Sequence, residues 1–102
     1  MNEITLRIAG CLRSVPPGRV ACYRDIARAA GLPNGARQVA RTLHSMSSSL
    51  ALPWHRIIRA GGSVALKSCR GREMQIALLR SEGVEVSDDG QVDMAAYNYF
   101  KI

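Results

Sequence analysis

The sequence predicts a small, mainly helical α/β domain, like a winged helix, that contains a helix-turn-helix. The chain has 102 residues, of which 47% are hydrophobic, and this suits one domain spanning residues 1–102. In the first half, apolar residues recur at helical spacing between turns rich in Gly and Pro. In the second half, short apolar runs flank Gly61-Gly62 and Asp89-Gly90, which indicates a minor β component.

The first helix is predicted from about Glu3 to Ser14. Pro16-Pro17-Gly18 then ends it and forms a turn. The residues expected on its apolar face recur at helical spacing: Ile4, Ile8, Cys11, Leu12 and Val15.

A helix-turn-helix follows a short extended segment over residues 19–23. Its first helix is expected from about Tyr23 to Ala30, and its second from about Gly35 to Ser45 with Asn34 as the N-cap. Gly31-Leu32-Pro33 forms the turn between them. One side of the second helix should carry Ala36, Val39, Ala40 and Leu43; the other should carry Arg37, Gln38, Arg41, His44 and Ser45. Ser45 to Ser49 are interpreted as a short linker.

The second half predicts two short strands, Ile57-Ile58 and residues 63–66, paired as a hairpin around Gly61-Gly62. A helix from Arg72 to Glu82 should follow and end at Gly83. Its inward side chains are expected to be Met74, Ile76, Ala77 and either Leu78 or Leu79. A small hairpin around Asp89-Gly90 is expected over residues 84–92, and the last aromatic residues should hold the C-terminus on the core: Tyr97, Tyr99 and Phe100.

The charge of the chain is unevenly distributed. Asp25 is the only acid between Ile4 and Arg72, whereas six acids and two bases lie from Glu73 onward. The bases of the first span are Arg7, Arg13, Arg19, Arg24, Arg28, Arg37, Arg41, Arg56, Arg59, Lys67, Arg70 and Arg72. This favours a nucleic-acid-binding face over arginines that merely solvate helices.

The cysteine and hydropathy patterns argue against a metalloprotein, a membrane protein and a secreted protein. Cys11, Cys22 and Cys69 form no CxxC pair and lie at no zinc-ligand spacing, so we expect no metal or cofactor. Cys11 and Cys22 are expected to be packing residues. No apolar run is long enough to span a bilayer, and no signal-peptide layout is present. We therefore expect a cytoplasmic protein, associated with the nucleoid if bacterial, and, because no dimerisation element is evident, a monomer.

Several ordered motifs resemble the C-terminal domain of O6-alkylguanine-DNA alkyltransferases. They are residues 15–20 with Tyr23, residues 35–40, residues 52–58 and residues 79–83. In that family the tetrapeptide Pro53-Trp54-His55-Arg56 has a nucleophilic cysteine in its second position, where this chain has Trp54. The resemblance therefore implies an alkyltransferase-like protein. Such a protein binds O6-alkylguanine in duplex DNA through the minor groove, flips the nucleotide and directs the lesion to nucleotide excision repair proteins.

The chemistry of the tetrapeptide agrees with a protein that has no catalytic residues. An indole offers no nucleophile comparable to a thiolate, so Trp54 cannot accept an alkyl group. His55 and Glu82, which match the pair that activates the cysteine in the enzymes, then have a structural role together with Pro53 and Arg56. Two enzymatic alternatives stay open, a transferase that uses Cys69 and a hydrolase that uses His55 and Glu82.

The resemblance also implies a set of binding residues. Trp54, Tyr23, Lys67 and Arg70 would form the lesion pocket, although a lone Trp in a small domain is often a core residue. Arg37 would enter the base stack and Tyr23 would promote rotation of the nucleotide; a phosphate contact and a half-buried tyrosine are the alternatives. Further DNA contacts are expected from Ala36, Gln38, Arg41, Arg19, Arg24 and Arg59.

Two departures from the family pattern bear on the mechanism. Residues 44–46 replace the family's asparagine after the recognition helix, and residues 65–70 lack the enzymes' glycine-rich loop. The second departure is consistent with a wider pocket. A sequence-specific helix-turn-helix regulator, which would usually be a dimer, is the non-enzymatic alternative.

Overall fold

The structure, a computed structural model, describes residues 2–64 and 69–100, without the side chains of residues 69 and 70. Its helices are α1 (Glu3–Arg13), α2 (Tyr23–Ala29), α3 (Ala36–Leu50), α4 (Cys69–Ser81) and α5 (Met94–Tyr97). Its strands are β1 (Ala21–Cys22) and β2 (Ile57–Ile58), and Trp54–Arg56 form a single 3-10 turn, called the Trp54 turn below. The described chain is thus mainly helical with a minor sheet, as the sequence predicts.

The first helix begins at its N-cap, Asn2, whose side chain accepts a hydrogen bond of 2.8 Å from the amide of Thr5. Ile8, Leu12 and the following Val15 are buried, as predicted. Ile4 is 36% exposed, so its predicted place in the core is wrong. It lies in the first turn, where it borders an open groove between α1 and α3.

The helix-turn-helix is formed by α2 and α3, with Gly31 in the left-handed conformation (φ +80°) at the turn. The predicted N-cap Asn34 is wrong, because Gly35 occupies that position. The Gly35 amide donates to the carbonyl of Leu32 at 2.8 Å, and a Cβ on Gly35 would lie 2.7 Å from the Leu32 Cβ. This turn is therefore too tight for a larger residue at the N-cap.

The third helix extends to Leu50, so the linker predicted over Ser45–Ser49 is wrong. The Ser45 hydroxyl donates to the carbonyl of Arg41 at 2.8 Å, and the Ser47 hydroxyl donates to the carbonyl of Leu43. Such bonds to the preceding turn accommodate serines inside a helix. The helix ends where Ala51 adopts the left-handed conformation (φ 51°).

The sheet differs from the predicted hairpin. Ile57-Ile58 pair in parallel with Ala21-Cys22, while Ser63 forms an antiparallel bridge with Gln91. The predicted turn is present, since the Gly62 amide donates to the carbonyl of Arg59, but residues 65 and 66 lie outside the described residues. The parallel pairing buries both isoleucines completely, Ile57 in one apolar cluster and Ile58 in the other.

The fourth helix turns a different face inward from the predicted one. Gln75 and Leu79 are 1% and 0% exposed, whereas Met74 is 52% exposed and Ala77 is exposed. The expected burial of Met74 and Ala77 is therefore wrong, and that of Leu79 is confirmed. Gln75 can be buried because its amide bonds main-chain carbonyls next to the sheet.

The C-terminal segment closes the second apolar cluster. Val86 bridges Val92 around a turn with Gly90 at φ +80°, which confirms the predicted turn. The main chain on either side of Asn98 bonds Val20, and the side chains of Tyr97 and Phe100 pack on the core as expected. Tyr99 is 41% exposed, so its predicted packing is wrong.

Candidate nucleic-acid interface

Trp54 begins the turn of residues 54–56 that directly precedes the buried strand β2. Its side chain is half-buried and packs on the core, and its ring meets that of His55 edge to face, with centroids 6.0 Å apart and an interplanar angle of 83°. The adjoining residues Ile57-Ile58 cannot shift without breaking the sheet. The indole therefore stands on a rigid part of the molecule.

His55, Arg56 and Glu82 form one cluster beside the Trp54 turn. His55 Nε2 lies 2.9 Å from Glu82 Oε2, and the Arg56 guanidinium bonds both oxygens of the same carboxylate. A further Arg56 nitrogen donates to the carbonyl of Val15 at 3.1 Å. The hydrogen bond from Arg56, assisted by His55, lowers the pKa of Glu82 from 4.5 to about 2 against the opposing effect of burial.

This cluster is arranged to hold the Trp54 turn rather than to accept a proton. Both carboxylate oxygens of Glu82 already accept hydrogen bonds, and a carboxylate with a pKa of about 2 is a weak base at neutral pH. The structure thus brings together the three polar residues that the sequence analysis grouped as a structural remnant, with Pro53 directly before the turn.

Gln75 supports the same turn from α4. Its Nε2 donates to the carbonyls of His55 at 3.2 Å and Ile57 at 3.1 Å. Both donors of the amide are therefore used, which fixes the orientation of the group. Its Oε1 is buried without a hydrogen-bond partner among the described residues.

A cavity of about 530 Å³ opens beside Trp54, between α3 and α4. We call it the Trp54 cavity. Beyond Trp54, its lining consists of Tyr23 from α2, of Ala40, Leu43, His44 and Ser47 from α3, and of Gly71, Met74 and Gln75 from α4. The structure thus brings Trp54 and Tyr23 together as predicted. Lys67 and the side chain of Arg70, which were also predicted to lie here, are outside the described residues.

Arg37 lies in the first turn of α3, three residues before Ala40, which lines this cavity. Ala40 is exposed and lines the cavity, whereas Val39 and Thr42 are buried. Arg37 precedes Ala40 by three residues, which places the two on one face of the helix. Arg37 is exposed, and this spacing puts it on the side of α3 that carries Ala40, not on the opposite side as predicted.

Tyr23 keeps its proton at neutral pH. Burial raises the pKa of its phenol above the ordinary value of 10.0, and the positive charge of Arg59 opposes that shift. A neutral hydroxyl is able to donate a hydrogen bond to a phosphate without electrostatic repulsion. Arg59 is exposed and close enough to Tyr23 to act on it electrostatically.

The remaining predicted DNA contacts are distributed around the domain. Gln38 and Arg41 border the groove between α1 and α3 rather than the Trp54 cavity. Arg19 donates to the carbonyl of Ala96 at 2.9 Å, which ties it to the C-terminal segment. Arg24 is exposed beside Asp25, at 3.8 Å, and Ala36 is the first residue of α3.

Of the cavity residues, the sequence analysis assigned Tyr23 and Trp54 to the site; those that it did not assign include Ala40, His44, Ser47, Met74 and Gln75. The spacing of Ala40, His44 and Ser47 at i, i+4 and i+7 is a signal for one helix face, but it is visible only if α3 continues past Ser45. Met74 and Gln75 could not be identified in this way, because tertiary contacts determine which face of α4 lies at the cavity.

Electrostatics distinguish the Trp54 cavity from a larger concavity of about 890 Å³ near the C-terminus. Glu85, Asp89 and Asp93 border that concavity, so its charge opposes a polyanion. Among the described residues, no three His, Cys, Asp or Glu side chains are placed to share a metal ion. In that same part of the chain, no helix has the length and apolar character needed to cross a membrane.

Residues 3–84 match the family model of the 6-O-methylguanine DNA methyltransferase DNA-binding domain. The chain belongs to this family. The match covers the helix-turn-helix, the Trp54 turn and α4, and so contains every described element of the Trp54 cavity.

Two relatives are covered by this chain over most of their length, and one solved structure has the same fold. A DNA base-flipping protein of Vibrio parahaemolyticus is 33% identical over 99 residues, which make up 97% of this chain and 98% of the relative. Alkyltransferase-like protein 1 of Schizosaccharomyces pombe is 32% identical over 87 residues, 84% of this chain and 81% of the relative. The crystal structure of S. pombe Atl1 in complex with damaged DNA containing O6-carboxymethylguanine superposes with a TM-score of 0.86 at 28% identity, covering 97% of this chain and 96% of Atl1. The predicted alkyltransferase-like fold is confirmed.

Proposed function

We propose that this protein recognises O6-alkylguanine in duplex DNA by flipping the nucleotide into the Trp54 cavity, without removing the alkyl group. The observation that carries the proposal is the position of Trp54: the indole lines a cavity between α3 and α4, at the place that family resemblance assigns to the alkyl-accepting cysteine.

The thiols with described side chains do not replace that cysteine. Cys22 is buried and Cys11 is half-buried, and neither lines the Trp54 cavity. Burial raises the pKa of both thiols, which lowers the fraction present as reactive thiolate. The hydrolase alternative is disfavoured as well, since the hydrogen bonds from Arg56 occupy both oxygens of Glu82 and lower its pKa to about 2, which makes it a weak general base.

The energetics of the site suit a damaged base. Extruding a nucleotide costs a few kcal/mol, and least for a base that pairs poorly. Stacking of a base on an aromatic side chain contributes about 1–3 kcal/mol, which is enough to offset much of that cost. In this proposal Arg37, on the same side of α3 as the cavity-lining Ala40, fills the gap left in the duplex, while Tyr23 contacts the backbone beside it.

The comparisons support the same function. One relative is named a DNA base-flipping protein, and Atl1 of S. pombe is seen with DNA that contains O6-carboxymethylguanine. We extend the proposal to a cytoplasmic monomer that presents the bent, opened duplex to nucleotide excision repair proteins; this last step follows from the family resemblance.

Binding and mass measurements together test the proposal. Two unrelated duplexes, each with a single O6-methylguanine, should bind alike and more tightly than their unmodified counterparts. Trp54→Ala should weaken lesion binding roughly 5- to 150-fold, which is the loss of affinity that corresponds to about 1–3 kcal/mol of stacking free energy. Tyr99→Ala, which removes an exposed aromatic ring that does not line the cavity, is the matched control and should leave binding unchanged.

Intact masses of protein and DNA after incubation should both stay unchanged. An added alkyl group on the protein would show a transferase, and a shortened or dealkylated DNA would show a hydrolase. Binding that follows the base sequence rather than the lesion would show a transcription regulator instead.

A further inference from the structure

Met74 is a large apolar side chain at the edge of the Trp54 cavity. It is 52% exposed, whereas the next residue on α4, Gln75, is 1% exposed. Leu43 lines the same cavity from α3, and Trp54 lines it from the Trp54 turn. Three apolar side chains from three different elements therefore surround one opening.

The chemistry of this opening suits a variable apolar group. Methionine is unbranched and polarisable, so its side chain adapts to neighbours of different shape. The cavity volume of about 530 Å³ is within the range of small-molecule sites, which leaves room for a substituent beyond the base itself. Leu43, Trp54 and Met74 are the large apolar side chains of the described lining, and they offer a substituent apolar contacts.

We propose that Met74 contacts the O6 substituent of the flipped base and determines which substituents this protein prefers. This inference rests on the proposed function and adds a specificity-determining residue to it. Each methylene group of the adduct that becomes buried against Met74 raises the affinity about fourfold. The preference therefore rises from O6-methyl to O6-propyl and requires a long apolar side chain at position 74.

A binding series with exchanged side chains tests this role. Duplexes carrying guanine, O6-methylguanine, O6-propylguanine or O6-carboxymethylguanine are titrated with wild type, Met74→Ala and Met74→Lys, and each affinity is divided by that for the unmodified duplex. Met74→Ala should abolish the gain from methyl to propyl. Met74→Lys should raise the carboxymethyl-to-propyl ratio about fivefold or more, because the new ammonium group pairs with the carboxylate.

Ala77→Lys is the matched control for added charge. Ala77 is exposed on α4 but lines a different concavity, with Glu73 and Arg80, so the new lysine should change all four affinities together. Since Met74 is exposed, both of its variants should keep the wild-type melting temperature.

The outcomes separate this inference from the function on which it rests. If wild type prefers the lesions but the Met74 variants leave the ratios between adducts unchanged, Met74 does not contact the substituent. If wild type binds guanine as tightly as every adduct, the lesion-recognition function itself is wrong.

Discussion

The Arg56 guanidinium binds the Glu82 carboxylate through two hydrogen bonds, with Nε 3.0 Å from Oε1 and Nη2 2.6 Å from Oε2. Paired bonds of this kind between ions are short and directional. A third bond, to the carbonyl of Val15, joins the same side chain to the segment after α1. Arg56 therefore fixes the Trp54 turn against two other parts of the domain, and with it one wall of the cavity.

Glu82→Gln should make stability less dependent on pH in acid. The pKa of Glu82 is lowered in the folded protein from 4.5 to about 2, so the carboxylate stabilises the fold above pH 4.5 and loses this contribution as the pH falls towards 2. We expect wild type to exceed the variant by about 2 kcal/mol in free energy of unfolding at pH 7. Urea unfolding at several pH values measures the difference, and a difference that stays constant between pH 5 and pH 2 would contradict the role of this pair.

Gln75→Leu should destabilise the fold by about 1–3 kcal/mol, because it leaves the carbonyls of His55 and Ile57 without the donors they use. Urea unfolding at neutral pH measures this loss. Gln38→Leu is a matched control, since Gln38 is only half-buried and borders the groove beside α1. Equal losses in the two variants would show that Gln75 does not support the Trp54 turn.

Gly62→Ala should cost about 1–3 kcal/mol of stability, whereas Gly61→Ala should cost little. Gly62 has φ +96°, and a Cβ there would press on the carbonyl oxygen of Val92 and lie 2.8 Å from the Gln91 side chain. A Cβ on Gly61 would meet nothing within 4 Å. Thermal unfolding of the two variants compares neighbouring glycines directly; similar melting temperatures would argue against a tight turn at Gly62.

Arg37→Ala should weaken binding to a lesion duplex by about tenfold or more and binding to an unmodified duplex much less, because Arg37 compensates part of the cost of extruding the nucleotide. Arg24→Ala, at an exposed arginine beside Asp25, should weaken both by the same small factor and reduce the salt dependence by about one charge. Anisotropy titrations at several salt concentrations distinguish the two. A uniform loss in Arg37→Ala would make it an ordinary phosphate contact.

Local sequence patterns predicted where helices and turns occur better than they predicted which segments pair with each other. The apolar spacing of Ile8, Leu12 and Val15 identified α1, and Gly31 marked the turn before α3. The parallel pairing of Ile57-Ile58 with Ala21-Cys22 joins segments more than thirty residues apart, so no local turn signal encodes it. The run of serines also led to a wrong prediction for the end of α3. Hydrogen bonds from serine hydroxyls to carbonyls of the preceding turn keep that segment helical.

Motifs in the sequence predicted some of the residues that the fold brings together at the candidate site. The tetrapeptide and Glu82 identified the cluster around the Trp54 turn, and Tyr23 lies in the same cavity as Trp54. Met74 was wrongly predicted to face inward and the burial of Gln75 was not predicted, because the inward face of α4 depends on main-chain carbonyls that only the folded chain presents. A buried glutamine that bonds main-chain carbonyls gives no periodic apolar signal in the sequence.

Trp54 is the single tryptophan of the chain, so its fluorescence reports the cavity without interference. The most direct test titrates the protein with a duplex containing one O6-methylguanine and with the same unmodified duplex, while tryptophan emission is recorded. A base stacked on the indole should change the emission of Trp54 on the lesion duplex and leave it nearly unchanged on the unmodified one, and Arg37→Ala should require more lesion duplex for the same change. The same emission change with both duplexes, or no change when anisotropy shows that the lesion duplex is bound, would contradict recognition of the flipped base in the Trp54 cavity.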